Sequence, residues 1–482
     1  MTVLRESFIV DRPIEDCFRY ISNFSTIEQW DPGVYRSAKR TPGPAKVGSV
    51  FDLILNVGGR EADMVYQIEE LTPPTRIVLT GTNNTVTALD TITFKSLDSL
   101  HTDITYEAEL KFALPYAAAT PIMGPGLRRI GKRAVDGMKR ALTIDTKPRA
   151  ATLCTSVADR LILPGAWSFT KRGYYAMPNK GLSEFMDGKT VVVTGPTSGI
   201  GLAAACDFAR LGARLILVGR NAKKLSAASR TISDYSGLSE KEIHLVQADL
   251  SLVADARKAA DDIRALAPQL DVLVNNAGAL FPERQTTKEG NEQSLTINLL
   301  APYVLVESLS DRIQSSATHV INVVSGGMYL QGLALNDMQF EQDYEGAKAY
   351  ARAKRGLVAM TEYWALRFQK SGARFNTMHP GWVETPGVAD SLPRFNQFMA
   401  NRLRDARMGA DTIVWLGSAL AVEGESGKLW FDRVARPINV MPGTHVTPSQ
   451  LDRLRTFLVK QTGIGRVAPP RAKRSAARKK AA

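Results

Sequence analysis

The alternation of apolar and polar positions changes character part-way along the chain. Up to about residue 146 the dominant period is two. From His101 to Phe112, Ile104, Tyr106, Ala108, Leu110 and Phe112 alternate with Asp103, Thr105, Glu107, Glu109 and Lys111, which predicts a strand with one buried and one wet face. Thr2–Val10, Val47–Asn56, Asp63–Glu70, Arg76–Thr80 and Thr85–Phe94 read as further strands. Asp11-Arg12-Pro13 opens a helix over Ile14–Ile21 with proline at an early position, and a second short helix ends near Trp30-Asp31-Pro32. A last helix, Leu127–Leu142, sets Leu127, Ile130, Ala134, Met138 and Leu142 on one side. The predicted order is a strand, two helices, a run of antiparallel strands and a long amphipathic helix.

From about Gly188 to Gly465, apolar runs of strand length alternate with helical segments, which predicts a doubly wound parallel sheet. Thr190–Val193 reads as a buried strand, and Leu202–Leu211 as a helix. Between them lies Thr194-Gly195-Pro196-Thr197-Ser198-Gly199-Ile200-Gly201. A glycine turn between strand and helix makes an anion site: backbone N–H groups and the positive end of the helix dipole face a pyrophosphate, and the glycines let the backbone approach it. The spacing differs from Gly-x-Gly-x-x-Gly, and Pro196 removes one donor from the turn. The next strand, Arg214–Gly219, ends at Gly219-Arg220-Asn221 with no acid to hold a ribose 2′-hydroxyl. Arg220 is placed instead for a 2′-phosphate, so NADP(H) is favoured and NAD(H) is the alternative. His244–Ala248 leads to Asp249-Leu250, and Asp271–Val274 runs into Asn275-Asn276-Ala277-Gly278. A helix over Ser294–Val306 carries Asn298, and the strand Thr318–Val324 ends at Ser325. Tyr350-Ala-Arg-Ala-Lys354 opens a long helix, and Arg374–Met378 leads to His379-Pro380-Gly381-Trp382-Val383-Glu384-Thr385.

At 482 residues and 44% apolar content the chain is long enough for two or three domains. No run of about 18 apolar residues occurs, and Met1–Val10 carries charges where a signal peptide would be apolar. Three scattered cysteines, Cys17, Cys154 and Cys206, suit a reducing, cytoplasmic setting, and the five histidines form no cluster, so no metal is expected. The net charge of +13 is uneven: residues 466–482 hold seven Lys and Arg and no acid, leaving +6 for the rest. That tail cannot bury a core and is expected to be a disordered, solvated end. It could touch anionic lipid weakly, and no specific nucleic-acid partner is implied. The expected division is a ligand domain over residues 1–146, a linker over 147–187, a dinucleotide domain over 188–465 and the tail. Within the linker, Trp167–Tyr175 mixes aromatics with cations, a composition that suits a membrane surface but is expected to pack on the next domain.

The element order of the first domain, with Phe24 and Trp30-Asp31-Pro32 after the first helix, resembles the START-like polyketide cyclase/dehydrase superfamily, also called SRPBCC. That resemblance implies an α+β helix-grip fold, a curved sheet wrapped on the long helix with an apolar cavity between them. No triad, metal set or isolated acid–base pair is visible in this part of the sequence. In the second domain, Thr-Gly-x-x-x-Gly-Ile-Gly, Asn-Asn-Ala-Gly, Asn298, Ser325, Tyr350-x-x-x-Lys354 and Pro380-Gly381 occur together and in order. They resemble the short-chain dehydrogenase/reductase superfamily, which implies a Rossmann-type α/β sheet and alcohol–carbonyl interconversion with a nicotinamide cofactor.

The residue types suit that chemistry. A carbonyl that accepts hydride gathers negative charge on oxygen and needs a proton, which Tyr350 can give. An unperturbed phenol has a pKa near 10, and Lys354, one turn on, is expected to favour phenolate. Ser325 is expected to hydrogen-bond the substrate oxygen. By the resemblance, Lys354 also holds the nicotinamide ribose, and Asn298 positions a relay water. Asn276, Ala277 and Gly278 would lie along the adenosine half, with Asp249 and Leu250 beside the adenine. Pro380, Gly381, Val383 and Thr385 would lie at the carboxamide end. A rival pair, Tyr344 and Lys348, sits six residues earlier, with Gly346 inside its own turn. Pro386–Met408 is apolar enough for either a lid or a plain surface helix. The leading reading is an NADP(H)-dependent oxidoreductase for a lipophilic substrate that the N-terminal domain binds. A non-catalytic lipid and dinucleotide sensor and a bifunctional cyclase/reductase are the alternatives. Substrate identity and oligomeric state, a homodimer included, stay open at this point.

Overall fold

The computed structural model describes residues 2–57, 60–114, 116–143, 168–175, 177, 184–384, 397, 399 and 402–465. The basic tail, most of the linker, Thr385 and most of the apolar stretch after it lie outside the described residues.

The first sheet is antiparallel throughout, in the order β1 (Thr2–Val10), β7 (Thr102–Phe112), β6 (Val86–Ser96), β5 (Arg76–Thr82), β4 (Arg60–Thr72), β3 (Val50–Val57) and β2 (Val34–Lys39). Strand β2 was not apparent from the sequence, because a register shift between Val34 and Arg36 breaks its period of two. The helices Ile14–Ser22 and Ile27–Trp30 and the long helix Tyr116–Leu142 complete the unit. Its core joins Phe18, Phe24, Trp30, Phe51, Tyr66, Ile92, Ile104, Met138 and Leu142. Ala134, Met138 and Leu142 are buried as expected, but Ile130 is 55% exposed. Steps of four residues each turn a side chain by about 40° from the last, so by Ile130 the stripe has rotated off the sheet. One polar group sits among these apolar side chains: Asp90 is buried, and the Tyr66 and Tyr106 hydroxyls hydrogen-bond it.

The second sheet runs β10 (Ile243–Gln247), β9 (Arg214–Gly219), β8 (Thr190–Thr194), β11 (Val272–Asn275), β12 (His319–Val323), β13 (Arg374–Met378), β14 (Leu429–Phe431) and β15 (Val434–Arg436). All pairs are parallel except β14–β15. Strands β8 and β11–β13 carry almost unbroken apolar runs because both faces are covered. The strand order reverses between β8 and β11, which opens a crevice at their carboxyl ends.

Ion pairs join the two units. Arg12 forms a two-pronged pair with Glu184, and Arg19 another with Asp187. Arg407 reaches Glu28 at 3.0 Å and donates to the Ser37 carbonyl at 2.7 Å. Tyr35 stacks on Tyr175, centroids 4.5 Å apart. Burial pushes the Glu28 carboxyl up, and the neighbouring Arg407 guanidinium opposes that shift. Arg407→Met should therefore leave an unpaired acid in the junction. Removing one partner of a buried pair costs about 3–5 kcal/mol; both side chains keep some water contact, which places the loss at the lower end. Thermal melts should show it, and adding Glu28→Gln should recover most of it.

Candidate active site

The site is built where β8 and β11 part. Thr194, the last residue of β8, donates its hydroxyl to the Val274 carbonyl and accepts from the backbone N–H groups of Asn276 and Ala277. The Asn276 side-chain amide returns hydrogen bonds to the carbonyls of Thr194 and Gly195. The two strand ends are thus fastened together while the chain turns away on either side. Gly195 and Gly199 take left-handed φ angles of 66° and 55°, where glycine carries no Cβ penalty. At Gly201 a Cβ would strike the Gly195 carbonyl and the Asn276 amide. The helix Gly199–Arg210 receives no side-chain cap from Ser198, so side chains leave its first N–H groups to an anion. Thr197 and Ile200 complete the turn, and Arg220 lies exposed at the end of β9 beside it.

Along the same edge, the Asp249 carboxylate accepts from Ser251 N and Oγ, and Leu250 is buried in the core. What these two residues offer a ligand is therefore chiefly backbone. Asn298 sits within a one-turn π-helix, Thr296–Leu300, an irregularity common at functional sites. The buried Glu292 prepares that turn by accepting from Ser294 and Leu295 N–H. The Asn298 amide donates to the carbonyls of Ala279 and Ser294, both at 2.8 Å, while its Oδ1 has no partner. A Cβ on Gly278 would lie 2.6 Å from that oxygen and 3.2 Å from Lys354 Nζ. The glycine keeps open a space that both polar atoms face.

Ser325 and Tyr350 meet directly through a hydrogen bond. Lys354 is buried, donates to the Val323 carbonyl at 2.9 Å, and lies 5.7 Å from the Tyr350 ring centroid. The rival pair is elsewhere. Tyr344 donates to the Phe281 carbonyl at 3.0 Å and approaches Glu292, while Lys348 pairs with Glu345. Electrostatics depart from the expectation of a phenol lowered by lysine. Burial pushes Tyr350 up to about 12, opposed by the Ser325 hydrogen bond, and burial pushes Lys354 down to about 7. Desolvation outweighs the attraction between the two because the ammonium is itself destabilised in the dry interior.

The far wall holds residues with no obvious sequence signature. Gly381, at φ 82°, donates its N–H to His379 Nδ1 at 3.0 Å. A Cβ there would meet Arg404 Nε at 2.6 Å and the Phe169 carbonyl at 2.8 Å. Arg404 is fully buried and donates to the carbonyls of Ser168, Phe169 and Thr170 and to Asp432. Its backbone pairs with Trp382 and Glu384, which closes the base of the apolar segment that begins near Pro386. Val383 is buried in that pairing, with Pro380 partly exposed. Phe169 lies edge-on to His379 at 4.5 Å and to Trp382 at 5.7 Å. The described part of the aromatic linker thus packs on this domain. Burial pushes His379 down to about 3, with Arg404 and Arg436 acting the same way.

Comparisons with known proteins agree with this geometry. Residues 189–394 match the family model "short chain dehydrogenase", and residues 1–143 match "Polyketide cyclase / dehydrase and lipid transport". The bovine protein "Dehydrogenase/reductase SDR family member 12" is 35% identical over 302 residues, 61% of this chain and 94% of the relative. Mouse "Retinol dehydrogenase 14" is 30% identical over 264 residues, 51% of this chain and 78% of the relative. Human "Retinol dehydrogenase 12" is 32% identical over 251 residues, again 51% and 78%. The crevice at the strand-order reversal, the meeting of Ser325 with Tyr350 and this coverage lead to one conclusion: the chain belongs to the short-chain dehydrogenase/reductase family of NAD(P)-dependent oxidoreductases, with a START-like polyketide cyclase domain at its N-terminal side.

Proposed function

We propose that the chain interconverts an alcohol and a carbonyl on a lipophilic substrate with NADP(H). The observation that carries this reading is the convergence of Ser325, Tyr350, Lys354 and Asn298 on one space beside the glycine turn. The residues present fit a dinucleotide: uncapped helix N–H groups, a turn that excludes a Cβ at Gly201, and the opening kept by Gly278. Gly195, Ser198, Gly199, Ile200 and Gly201 would hold its phosphates, and Arg220 a 2′-phosphate. Asp249, Leu250, Ala277 and Gly278 would flank the adenosine, and Lys354 the nicotinamide ribose. Pro380, Gly381 and Val383 would border the nicotinamide. When bound, the cofactor supplies or accepts the hydride.

The protein's own part is to handle a proton and fix an oxygen. Ser325 Oγ orients the substrate oxygen and shares a hydrogen bond with the Tyr350 hydroxyl, the proton donor in reduction. Tyr350, held protonated by burial, suits the donor role near neutral pH. The resulting phenolate is reprotonated along the Lys354 ammonium, with the free Asn298 Oδ1 fixing a water in the space beside it. The lipophilic class is supported by the apolar composition of residues 386–408 and by the two retinol dehydrogenase relatives.

Tyr350→Phe should leave the fold intact and lower turnover of a lipophilic carbonyl by roughly 10²–10⁴-fold, whereas Tyr344→Phe should change little. The check is NADPH oxidation across a panel of such carbonyls; activity surviving in Tyr350→Phe but lost in Tyr344→Phe would place the site six residues away.

NADPH should bind more tightly than NADH, and Arg220→Ala should narrow the gap. A charge-assisted contact contributes about 1.5–3 kcal/mol, roughly ten- to a hundredfold. Equal native affinities by titration calorimetry would remove the 2′-phosphate assignment.

Lys354 binds its proton more weakly folded, near pH 7, than unfolded, near pH 10.4. The unfolded state therefore holds more protons between these values, and stability contributed by this group rises with pH across that window. Lys354→Met should abolish turnover yet raise the melting temperature at pH 7, by roughly 2–4 °C per kcal/mol gained. Its melting temperature should also respond less than the native one to a change from pH 7 to 9.

A further inference from the structure

The N-terminal sheet buries a carboxyl group that the reductase chemistry does not use. On β6 the residues facing the core are Ala88, Asp90, Ile92 and Phe94, so Asp90 occupies a core position in strict alternation. It is 1% exposed, and the hydroxyls of Tyr66 on β4 and Tyr106 on β7 hydrogen-bond it. Its Oδ2 nevertheless has no partner, and neither does the Trp30 indole N–H in the same core. A buried, unmatched polar atom costs about 1–3 kcal/mol, so a sheet that could place leucine there has kept an acid at a loss of stability.

The neighbours leave room beside that oxygen. Ala108 lies directly across from Asp90 on β7, and Gly81 pairs with Ala88 and with Tyr66. A Cβ on Gly81 would collide with the Tyr66 ring and, at 2.7 Å, with Met64. Burial is graded along the sheet. Phe94, Ile104, Ile68 and Phe51 are fully buried at one end, whereas Val86, Leu110, Phe112 and Leu55 are only partly covered at the other. The carboxyl lies between, where a closed apolar core gives way to an apolar rim that water can reach. The other acid close enough to act on it is Asp31, whose Oδ1 accepts from Gly33 N–H. No cation is among the groups acting on Asp90. With no cation beside it, burial pushes its carboxyl up to about 7. A protonated acid can donate to an oxygen acceptor.

We infer that Asp90, with Tyr66 and Tyr106, is the polar anchor of a ligand site in the N-terminal domain, and that it takes a lipophilic molecule bearing an uncharged carbonyl or hydroxyl oxygen. The apolar body would lie against Leu55, Val86 and Leu110, and its oxygen would meet Oδ2. This assignment concerns binding alone and does not depend on the reductase reading.

The test uses the full chain without added cofactor and four probes of equal length: dodecan-2-one, dodecane, dodecanoate and dodecylamine. The native chain should bind the ketone most tightly. Asp90→Leu should weaken ketone binding roughly five- to tenfold, the value of one net hydrogen bond, and leave dodecane binding unchanged or tighter. Asp90→Asn, which keeps a neutral donor, should bind the ketone within about threefold of native. Infrared spectra of carbonyl-labelled ketone need no variant: the native complex should show a hydrogen-bonded carbonyl band, shifted down from its position in dodecane. That band should persist in Tyr350→Phe, which separates this site from the reductase crevice. An unshifted band, equal affinity for ketone and dodecane, or ketone binding indifferent to Asp90→Leu would each overturn the proposal. Tighter binding of dodecylamine would also overturn it, by showing a carboxylate that selects cations.

Discussion

The second domain depends on how Thr194 and Asn276 satisfy the strand ends they join. Where β8 and β11 diverge, the ladder hydrogen bonds run out, and buried N–H and C=O groups would be left unpaired at a cost of about 1–3 kcal/mol each. One hydroxyl and one amide take up that set among Val274, Asn276, Ala277, Thr194 and Gly195. Because the side chains supply the partners, neither loop has to fold back over the crevice, and the glycine turn can present its own N–H groups outward. Gly201 must stay without a Cβ for the Asn276 amide to reach across. The same residues that look like a ligand motif in the sequence are therefore first a splice between two strands.

Legibility in the sequence followed the range of the interactions involved. Strand β7 could be read because its partners on either side repeat the same alternation, and Tyr350 with Lys354 because both lie on one helix. Strand β2 was hidden by a bulge, and Ile130 was misplaced because repeated four-residue steps drift around a helix. Arg404 had no local signature: its partners are carbonyls at 168–170 and a carboxylate at Asp432, remote in the chain. Asp90 did leave a trace, as a lone acid in phase with Ala88 and Ile92, but only pairing with β4 and β7 shows that two tyrosines meet it. The lowered phenol pKa expected from lysine failed for a related reason: desolvation depends on everything packed around a group, and spacing reports only one neighbour.

The two domains are coupled through the base of the segment that begins near Pro386. Arg404 ties that base to the linker carbonyls, and Arg407, three residues on, ties the following helix to Glu28 and Ser37 of the N-terminal domain. That helix, Ala406–Ser418, also packs on the glycine-turn helix, where a Cβ on Gly409 would touch Val383 at 2.7 Å and Ile200 at 3.1 Å. A shift of the short helix Ile27–Trp30 would thus be felt at both ends of the cofactor groove through packed groups that have little slack. Glu28 belongs to that helix, and its last residue, Trp30, adjoins Asp31, the second acid near Asp90.

Desolvation acts in the same sense in both halves. It pushes Lys354 down to about 7 and Tyr350 up to about 12 in one domain, and Asp90 up to about 7 in the other. In each case burial favours the uncharged form of a group that still has hydrogen-bonding capacity. Such a group discriminates by polarity in a particular way: an apolar molecule with one neutral oxygen can enter, satisfy the group and lose little hydration, whereas an ion would have to shed its water for a site offering no fixed counter-charge. A ketone and its alcohol meet that condition equally. A chain that holds such a molecule in one domain and exchanges hydride with it in the next needs no change in recognition chemistry between the two, only a passage from one dry hydrogen-bonding site to another.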